Sequence, residues 1–192
     1  MSEIRPEAFE TIFVEAVSPG VMRIVLNRPE SRNAQNAAML YELNTAFNQA
    51  ARDDTVKVII LAAQGQHFSS GHDLRVPDFV AEMEPWDPVG TWCGFSCEGA
   101  EGRMGIEKEM FIGLSERWRN ISKVTIAQVQ GKAISGGLML IWPCDIIIAA
   151  EDAEFADNTA DIGVAGAEFF NHPWELGVRK AKEMLFTSDF IS

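Results

Sequence analysis

Two short glycine-containing loops are the segments of this sequence best suited to chemistry. They are Phe68–Leu74 (FSSGHDL) and Gly131–Gly137 (GKAISGG), and each comes soon after an apolar stretch that predicts a buried strand. Small residues let the backbone approach a ligand closely, and N–H groups at the start of a helix have no partner within it. Two such donors aimed at one oxygen would stabilise an enolate or a tetrahedral oxyanion. Taken alone, each loop is more often just a tight turn after a strand.

The composition limits the partners of such a site. The net charge is −12 and the sequence pI is near 4.6, which disfavours nucleic acid and anionic membrane surfaces as main partners. A phosphorylated ligand is still compatible, because it needs only a few local basic groups or helix N-termini. The N-terminus is polar and acidic, unlike a signal peptide, and no apolar run reaches the roughly 18 residues of a membrane span. We therefore expect a small-molecule ligand, with no nucleic acid and no membrane partner.

The cysteines indicate neither a disulfide framework nor a metal site. The chain has three, Cys93, Cys97 and Cys144, and a sparse, odd set of this kind favours the cytoplasm. Cys93 and Cys97 have the spacing of half a metal site, but no second pair of ligands follows at a suitable distance. We expect no bound metal and a cytoplasmic location.

Hydrophobic periodicity predicts an α/β protein in which strands and helices alternate. Strands are expected at residues 10–17 and 21–26 (a hairpin), 56–62, 124–130, 146–150 and 155–156. Helices are expected at residues 36–53, 110–121, 136–142 and 173–187. The continuously apolar run 146–150 predicts a strand buried on both faces, and residues 131–135 predict a turn. Residues 76–109 are rich in Pro, Gly and acids, and they predict a short helix near 76–83 within an otherwise irregular insertion.

Four short motifs, taken together, resemble those of the crotonase superfamily (enoyl-CoA hydratase/isomerase). In the order and spacing of that family, they are Asn27-Arg28-Pro29 with Arg32-Asn33-Ala34, then Phe68–Leu74, Gly131–Gly137 and Cys144-Asp145-Ile146. The similarity runs from about residue 10 to the end of the chain. It implies a spiral of repeated ββα units, with a buried, largely parallel sheet flanked by helices, in one core domain spanning residues 1–192.

The resemblance also implies roles in the binding of an acyl-CoA thioester. The N–H groups of His72 and Gly136 would hold the thioester carbonyl oxygen. The residues that would lie along the CoA are Arg32, Asn33, Ala34, Ser70, Gly71 and Asp73. Enzymes of the superfamily need no metal or redox cofactor, and the CoA arrives as part of the substrate.

The proton-transferring residues of the hydratases are missing from this sequence. Hydratases of the family carry two glutamates, and the corresponding positions here are Met139 and Thr159. A Met side chain cannot transfer a proton, and a Thr hydroxyl is far too weak an acid or base near neutral pH. The sequence therefore argues against hydration by the usual pair of glutamates.

Three other carboxyl groups are candidates to replace those glutamates. Asp157, Asp161 and Glu168 all follow the strand predicted at residues 155–156, and partial burial beside a thioester would raise the pKa of any of them. We select Asp161 and Glu168 as catalytic candidates beside the two N–H donors. The alternative, for each of the three, is that the carboxyl caps a turn. The imidazole of His72 is expected to fill space, and His172, which precedes Pro173, is expected in a turn.

The sequence thus predicts an enzyme that stabilises an enolate or oxyanion of an acyl-CoA thioester. Hydration, isomerisation and thioester or C–C hydrolysis stay open as reactions, and the alternative is a non-catalytic acyl-CoA-binding homologue. The resemblance also implies a C-terminal helical region that builds a homotrimer or a dimer of trimers. The chain ends where that region would begin, so we expect either a fragment or a protein without those helices.

Overall fold

The computed structural model describes residues 9–76, 79–92, 98–164 and 168–192. A five-stranded sheet lies at its centre. In spatial order, its strands are β1 (Ile12–Ser18), β2 (Val21–Leu26), β3 (Val58–Ala63), β4 (Val124–Val129) and β6 (Ile146–Ala149). The β1–β2 pair is an antiparallel hairpin, and the other pairs are parallel. The predicted α/β class with a largely parallel sheet is therefore confirmed.

A second, smaller sheet consists of two parallel strands, β5 (Lys132–Ile134) and β7 (Glu154–Ala156). The prediction of a turn at residues 131–135 is therefore wrong for most of that segment. Its backbone is extended because β7 pairs with one edge of it, and because Ser69 forms a parallel bridge with Ala133. These partners are remote in sequence, and local composition does not reveal them.

The helices cover the strands and carry the connections between them. They are α1 (Ala37–Arg52), α2 (Phe79–Met83), α3 (Gly99–Lys108), α4 (Leu114–Arg119), α5 (Gly136–Ile141), α6 (His172–Leu176) and α7 (Val178–Thr187). A π-helical turn at Glu109–Gly113 joins α3 to α4. The single helix predicted at residues 173–187 is divided in two by Gly177, whose φ of +74° is incompatible with a continuous right-handed helix.

The main core lies where α1 packs on the hairpin and the central strands. Met39, Leu43 and Phe47 recur at helical spacing along α1 and are buried, as the sequence pattern predicted. Asn36 precedes the helix, and its side chain accepts a hydrogen bond from the Met39 N–H at 3.0 Å, which caps the helix start. Opposite α1, Ile24 on β2 is fully buried.

Strand β6 is more exposed than its composition predicted. The exposed fractions of three of its residues are 47% for Ile146, 37% for Ile147 and 58% for Ile148. The expectation of a strand buried on both faces is therefore wrong. The physical reason is position, because β6 is the edge strand and pairs only with β4 in the main sheet. An apolar run indicates that a strand tolerates burial, but it does not specify what covers the strand.

The segment predicted as an irregular insertion contains more helix than expected. The short helix predicted near residues 76–83 is confirmed by α2, but α3 occupies residues that were expected to be irregular. Gly102 and Gly105 are buried together with Ile106 on one side of α3. Glycine lowers intrinsic helix propensity, so the local composition did not predict this helix. Cys93 and Cys97 lie outside the described residues.

None of the helices within the described ranges is long and apolar enough to cross a bilayer.

Candidate functional site

Backbone hydrogen bonds hold the two glycine-containing loops side by side. The Phe68 N–H donates to the Gln130 carbonyl at 3.0 Å, and the Ile134 N–H donates to the Ser69 carbonyl at 3.0 Å. Gly71, just beyond this ladder, has a φ of +91°. A Cβ at residue 71 would lie 2.9 Å from the Ile134 carbonyl oxygen, so only glycine allows this approach.

The N–H groups of His72 and Gly136 take no part in this ladder. The Gln35 N–H donates to the Gly71 carbonyl and the Asp73 N–H donates to the Gln35 carbonyl, both at 2.8 Å. In this parallel bridge the intervening His72 N–H points away from Gln35. Gly136 is the first residue of α5, and its N–H has no acceptor inside the helix. Neither N–H has a hydrogen-bond partner in the described part of the chain.

The two donors are adjacent in space. A Cβ built on Gly71 would lie 3.2 Å from the Gly136 nitrogen, and Gly71 directly precedes His72. Ser135, which precedes Gly136, has a φ of +45°, a strained conformation for a residue with a side chain. Three hydrogen bonds hold it there, joining its N–H to the Ala156 carbonyl and its hydroxyl to the side chain and the N–H of Asn158.

The imidazole of His72 covers Gly136. A Cβ at residue 136 would lie 2.8 Å from the His72 Cε1 and 3.0 Å from both ring nitrogens. Phe111, on the π-helical turn, contacts the same ring with 3.7 Å between centroids. Both ring nitrogens are buried and have no hydrogen-bond partner. Burial lowers the pKa of His72 to about 4, so the ring is neutral near pH 7.

Glu168 is the predicted acid–base candidate that the structure brings to these donors. Its Oε1 lies 4.0 Å from the His72 Nε2, and its side chain is only 6% exposed. Burial, together with the charges of Asp157 and Glu107, raises the pKa of Glu168 to about 7. A carboxyl group with this pKa is present in both protonation states near neutral pH, as proton transfer requires.

The position of Met139 explains how Glu168 reaches the site. The Met139 sulfur accepts a hydrogen bond from the Phe169 N–H at 3.4 Å. The segment that carries Glu168 therefore lies against α5 at the position where the family resemblance predicts a glutamate. Thr159, at the other glutamate position, is buried and donates its hydroxyl to Asp157 at 2.6 Å.

Asp157 and His172 form a buried pair that sequence reasoning missed. The His172 Nε2 lies 2.9 Å from the Asp157 Oδ2, and each side chain is 2% exposed. Asp157 also accepts the Thr159 N–H at 3.0 Å, which confirms the predicted turn cap. His172, expected in a turn, is the first residue of α6. The available signal was Pro173, since proline is favoured in the first turn of a helix.

Asp161, the other predicted catalytic carboxyl, is not brought to the donors by any described contact. It lies on an exposed turn of residues 161–163. In that turn, the Ile162 N–H donates to the Asn158 carbonyl at 3.1 Å. Asp161 is therefore a weaker candidate than Glu168.

Four of the six residues predicted along the CoA line a cavity of about 350 Å³ that also reaches His72. Its lining residues are Glu30, Ser31, Arg32, Ala34, Ser70, His72, Asp73, Leu74 and Arg75. Four predicted residues, Arg32, Ala34, Ser70 and Asp73, are among them, and Gly71 lies between two of the lining residues. The cavity therefore joins the predicted CoA residues to one of the two N–H donors.

Two of the residues predicted along the CoA form hydrogen bonds or ion pairs with other residues of the protein. Asn33 is fully buried and has a φ of +52°, and its side chain bonds to the Arg28 N–H and to the carbonyls of Gln64 and His67. The Asp73 carboxylate contacts Arg75 at 2.8 Å and Arg28 at 3.1 Å. Hydrogen bonds from Arg75 hold the Asp73 pKa well below its usual range. The Asp73 carboxylate thus holds the guanidinium group of Arg75, which also lines this cavity.

The described residues contain no group of three or more His, Cys, Asp or Glu side chains arranged to hold a metal ion.

The sequence is similar to one protein family and to several known proteins. The profile of the enoyl-CoA hydratase/isomerase family matches residues 16–82 and 96–192. EchA13 of Mycobacterium tuberculosis, a protein named provisionally as an enoyl-CoA hydratase, is 46% identical over a 192-residue alignment that covers 97% of this chain and 60% of that protein. The mouse mitochondrial Delta(3,5)-Delta(2,4)-dienoyl-CoA isomerase is 29% identical over 163 residues, which are 85% of this chain and 47% of that protein. The chain thus spans 60% or less of the length of these relatives.

The structure is also similar to solved structures. The crystal structure of a probable enoyl-CoA hydratase from Mycobacterium smegmatis superposes with a TM-score of 0.78 and 43% sequence identity. The match covers 95% of this chain and 66% of that one. This shared fold confirms the architecture that the four sequence motifs predicted.

Substitution of Asn33 tests how the hydrogen bonds and the backbone conformation of this residue stabilise the loop beside the cavity. We expect Asn33→Ala to lower the free energy of unfolding by roughly 2–4 kcal/mol, because it leaves buried partners unbonded and keeps a strained φ. Asn33→Gly is the matched control. It removes the same hydrogen bonds, but glycine adopts a positive φ without the strain of about 1 kcal/mol that a residue with a Cβ has there. Urea unfolding of the three proteins measures both differences. Equal stability of the Ala and Gly variants would contradict the contribution of the backbone.

Proposed function

The chain belongs to the enoyl-CoA hydratase/isomerase family, and from this premise we propose that it transfers protons at carbon beside the thioester carbonyl of an acyl-CoA. The observation that carries the proposal is the position of Glu168. Its carboxyl group, with a pKa of about 7, lies 4.0 Å from the ring of His72, whose N–H is one of two open donors. The site therefore combines a proton carrier with groups that stabilise an oxyanion.

In the proposed reaction, the thioester oxygen accepts hydrogen bonds from the N–H groups of His72 and Gly136. The Glu168 carboxylate removes a proton from the carbon next to the carbonyl, and the electron pair of the broken C–H bond delocalises onto the thioester oxygen. The two N–H donors stabilise the enolate that forms. Glu168 is then a carboxylic acid and can return the proton to carbon.

Isomerisation of an enoyl-CoA is the reaction that this arrangement favours. In an isomerisation, one group accepts the proton at one carbon and returns it at another, so no second acid or base is needed. Hydration also requires activation of a water molecule, and the residues at the two hydratase glutamate positions, Met139 and Thr159, cannot exchange protons near neutral pH. The mouse relative named a dienoyl-CoA isomerase is consistent with this class of reaction.

The cavity next to His72 is suited to the phosphates and adenosine of CoA. Arg32 is exposed at its rim, and Arg75, which also lines the cavity, contacts Asp73. Guanidinium groups bind phosphate oxygens through paired, charge-assisted hydrogen bonds. The proposed chemistry uses no metal or redox cofactor, and the CoA enters with the substrate. A cytoplasmic location and a trimeric assembly stay predictions.

The pH dependence of turnover tests the role of Glu168. We expect kcat/KM for a 3-enoyl-CoA to rise with pH through about 7 and then level off, because the carboxylate form removes the proton. Glu168→Gln keeps the size of the side chain but cannot accept a proton, so kcat should fall about 10²–10⁴-fold. The product is measured by its conjugated-thioester absorbance. Full activity of the Gln variant would refute the proposed base.

A matched pair of variants tests the N–H donor of Gly136. His72→Ala with Gly136→Ala removes the ring that a Cβ at residue 136 would meet and keeps both N–H groups. His72→Ala with Gly136→Pro differs by the loss of one N–H. We expect kcat of the Pro variant to be about 10²–10³-fold lower than that of the Ala variant. Circular dichroism and thermal unfolding check that both are folded, and equal turnover in two folded variants would exclude the donor.

The same measurements separate catalysis from binding alone. If the unmodified chain binds a 3-enoyl-CoA in calorimetry but gives no isomerised, hydrated or hydrolysed product, the alternative of a non-catalytic acyl-CoA-binding protein is favoured. This alternative deserves the test because the side chains of Met139 and Thr159 cannot replace two glutamates in proton transfer.

A further inference from the structure

The imidazole of His72 is a buried titratable group that the proposed reaction does not use. The backbone N–H of this residue is one of the two oxyanion donors, but its side chain has no role in the reaction as written. Both ring nitrogens are closed to solvent, and neither has a hydrogen-bond partner among the described residues. A buried donor without a partner is unfavourable, so a polar group that can reach the ring will be bound there.

Two contacts confine the ring. A Cβ at residue 136 would lie 2.8 Å from the His72 Cε1 and 3.0 Å from both ring nitrogens. Because these three adjacent atoms are almost equally distant, Gly136 packs against the face of the ring and not against its edge. Phe111 packs on the same imidazole, with 3.7 Å between centroids. A ring packed through its face directs its nitrogens sideways, past Gly136.

Glu168 lies at one of these nitrogens. Its Oε1 is 4.0 Å from the His72 Nε2, and the side chains of His72 and Glu168 are only 12% and 6% exposed. An N–H···O hydrogen bond has about 2.9 Å between the heavy atoms, so the gap must shorten by about 1 Å. Rotation about the side-chain bonds of a glutamate covers that distance. Catalytic hydrogen bonds are often long without substrate and shorten when it binds.

The proton of the ring is better placed on Nε2 than on Nδ1. Burial lowers the pKa of His72 to about 4, and a neutral imidazole has one N–H and one bare nitrogen. With the proton on Nδ1, a donor would be buried without a partner, and the bare Nε2 would face a carboxylate oxygen of Glu168. With the proton on Nε2, the donor faces the carboxylate and only a lone pair stays unpaired, which costs less.

We propose that the imidazole of His72 positions Glu168, because its Nε2–H binds Oε1 and leaves Oε2 to remove and return the proton at carbon. No proton passes to or from the ring, which stays neutral throughout. The hydrogen bond determines which carboxyl oxygen faces the substrate, and it stabilises the carboxylate that begins the reaction. This inference rests on the catalytic role proposed for Glu168.

The other charged groups that act on Glu168 are acidic. The charges of Asp157 and Glu107 raise its pKa in the same direction as burial does. Among the described residues, no Lys or Arg forms an ion pair with Glu168. A hydrogen bond from His72 to the carboxylate acts against these charges, so the loss of that bond should raise the pKa of Glu168 further.

Two variants at residue 72 test the role of the ring in catalysis. His72→Phe keeps an aromatic ring against Gly136 and Phe111 and keeps the backbone N–H, but it has no ring nitrogen. We expect its kcat for a 3-enoyl-CoA to fall about 10–100-fold, because a hydrogen bond to a charged group is lost. Its KM should change little, since the oxyanion donors and the cavity are retained.

His72→Gln is the matched control, because its amide N–H can reach Oε1 of Glu168 in place of the Nε2–H. It should recover most of the kcat that His72→Phe loses. Full kcat in the Phe variant would overturn the proposal. Equal losses in the Phe and Gln variants would also overturn it, because they would indicate a role for the shape of the ring alone.

Titration without substrate tests the same hydrogen bond directly. The carboxyl carbon of Glu168 is observed by NMR in the chain labelled with ¹³C-glutamate, and its signal is identified by its absence in Glu168→Gln. We expect the midpoint, near 7 in the unmodified chain, to rise by about one pH unit in His72→Phe. The rise of kcat/KM with pH should move in the same direction. An unchanged or lower midpoint would overturn the proposal.

The unmodified chain supplies a test that does not depend on the folding of a variant. In the chain labelled with ¹⁵N-histidine, the His72 ring should carry its proton on Nε2 and none on Nδ1 near pH 7. The Nε2 signal should also shift as Glu168 titrates. A proton on Nδ1, or an Nε2 signal that does not follow the titration, would overturn the proposal.

The NMR measurements and the turnover of Glu168→Gln separate two failures. If Glu168→Gln keeps full turnover, the catalytic role of Glu168 fails, while the titrations still decide whether His72 binds its carboxyl group. If Glu168→Gln is inactive but the midpoint is unchanged in His72→Phe, the proposed function stands and the role of the His72 ring is wrong.

Discussion

The backbone ladder between residues 68–69 and 130–134 is the constraint on which the site depends. Its hydrogen bonds satisfy the polar groups of two loops that begin at different strands, and they fix the loops at main-chain distance. At that separation, Gly71 and Gly136 have no room for a side chain, because a Cβ would meet a carbonyl oxygen or the His72 ring. The same close approach that excludes side chains brings two N–H groups together. The donors are therefore a product of backbone geometry, and they need no particular side chain to act.

Burial sets the electrostatics around these donors, and the neighbours decide its direction. Asp157 and Glu168 are both buried acids, but Asp157 has hydrogen-bond donors and Glu168 has acidic neighbours. One pKa is consequently lowered and the other is raised to about 7. Burial has the complementary effect on His72, because it lowers the pKa of the imidazole and thereby favours the neutral ring. The carboxyl group of Glu168 can consequently gain and lose a proton near neutral pH.

The local patterns of the sequence were sufficient for the hairpin, the central strands and α1. Alternation and helical spacing are properties of neighbouring residues, and in these elements tertiary contacts agree with them. They failed at β6, where exposure depends on the position of the strand in the sheet, and at α3, which forms although Gly102 and Gly105 lower its local helix propensity. At β6 the deciding contact is remote in sequence.

By itself, the sequence determined the two loops and the family, because residue identity and motif spacing are enough for both, and it predicted that Met139 and Thr159 stand in place of the hydratase glutamates. Only the tertiary structure distinguished Glu168 from Asp161, which are two acids close in sequence with opposite exposure. It also paired Asp157 with His172, a residue that the sequence alone suggested was part of a turn. The physical reason is that desolvation and charge coupling depend on distances across space, which the chain path sets and local spacing does not.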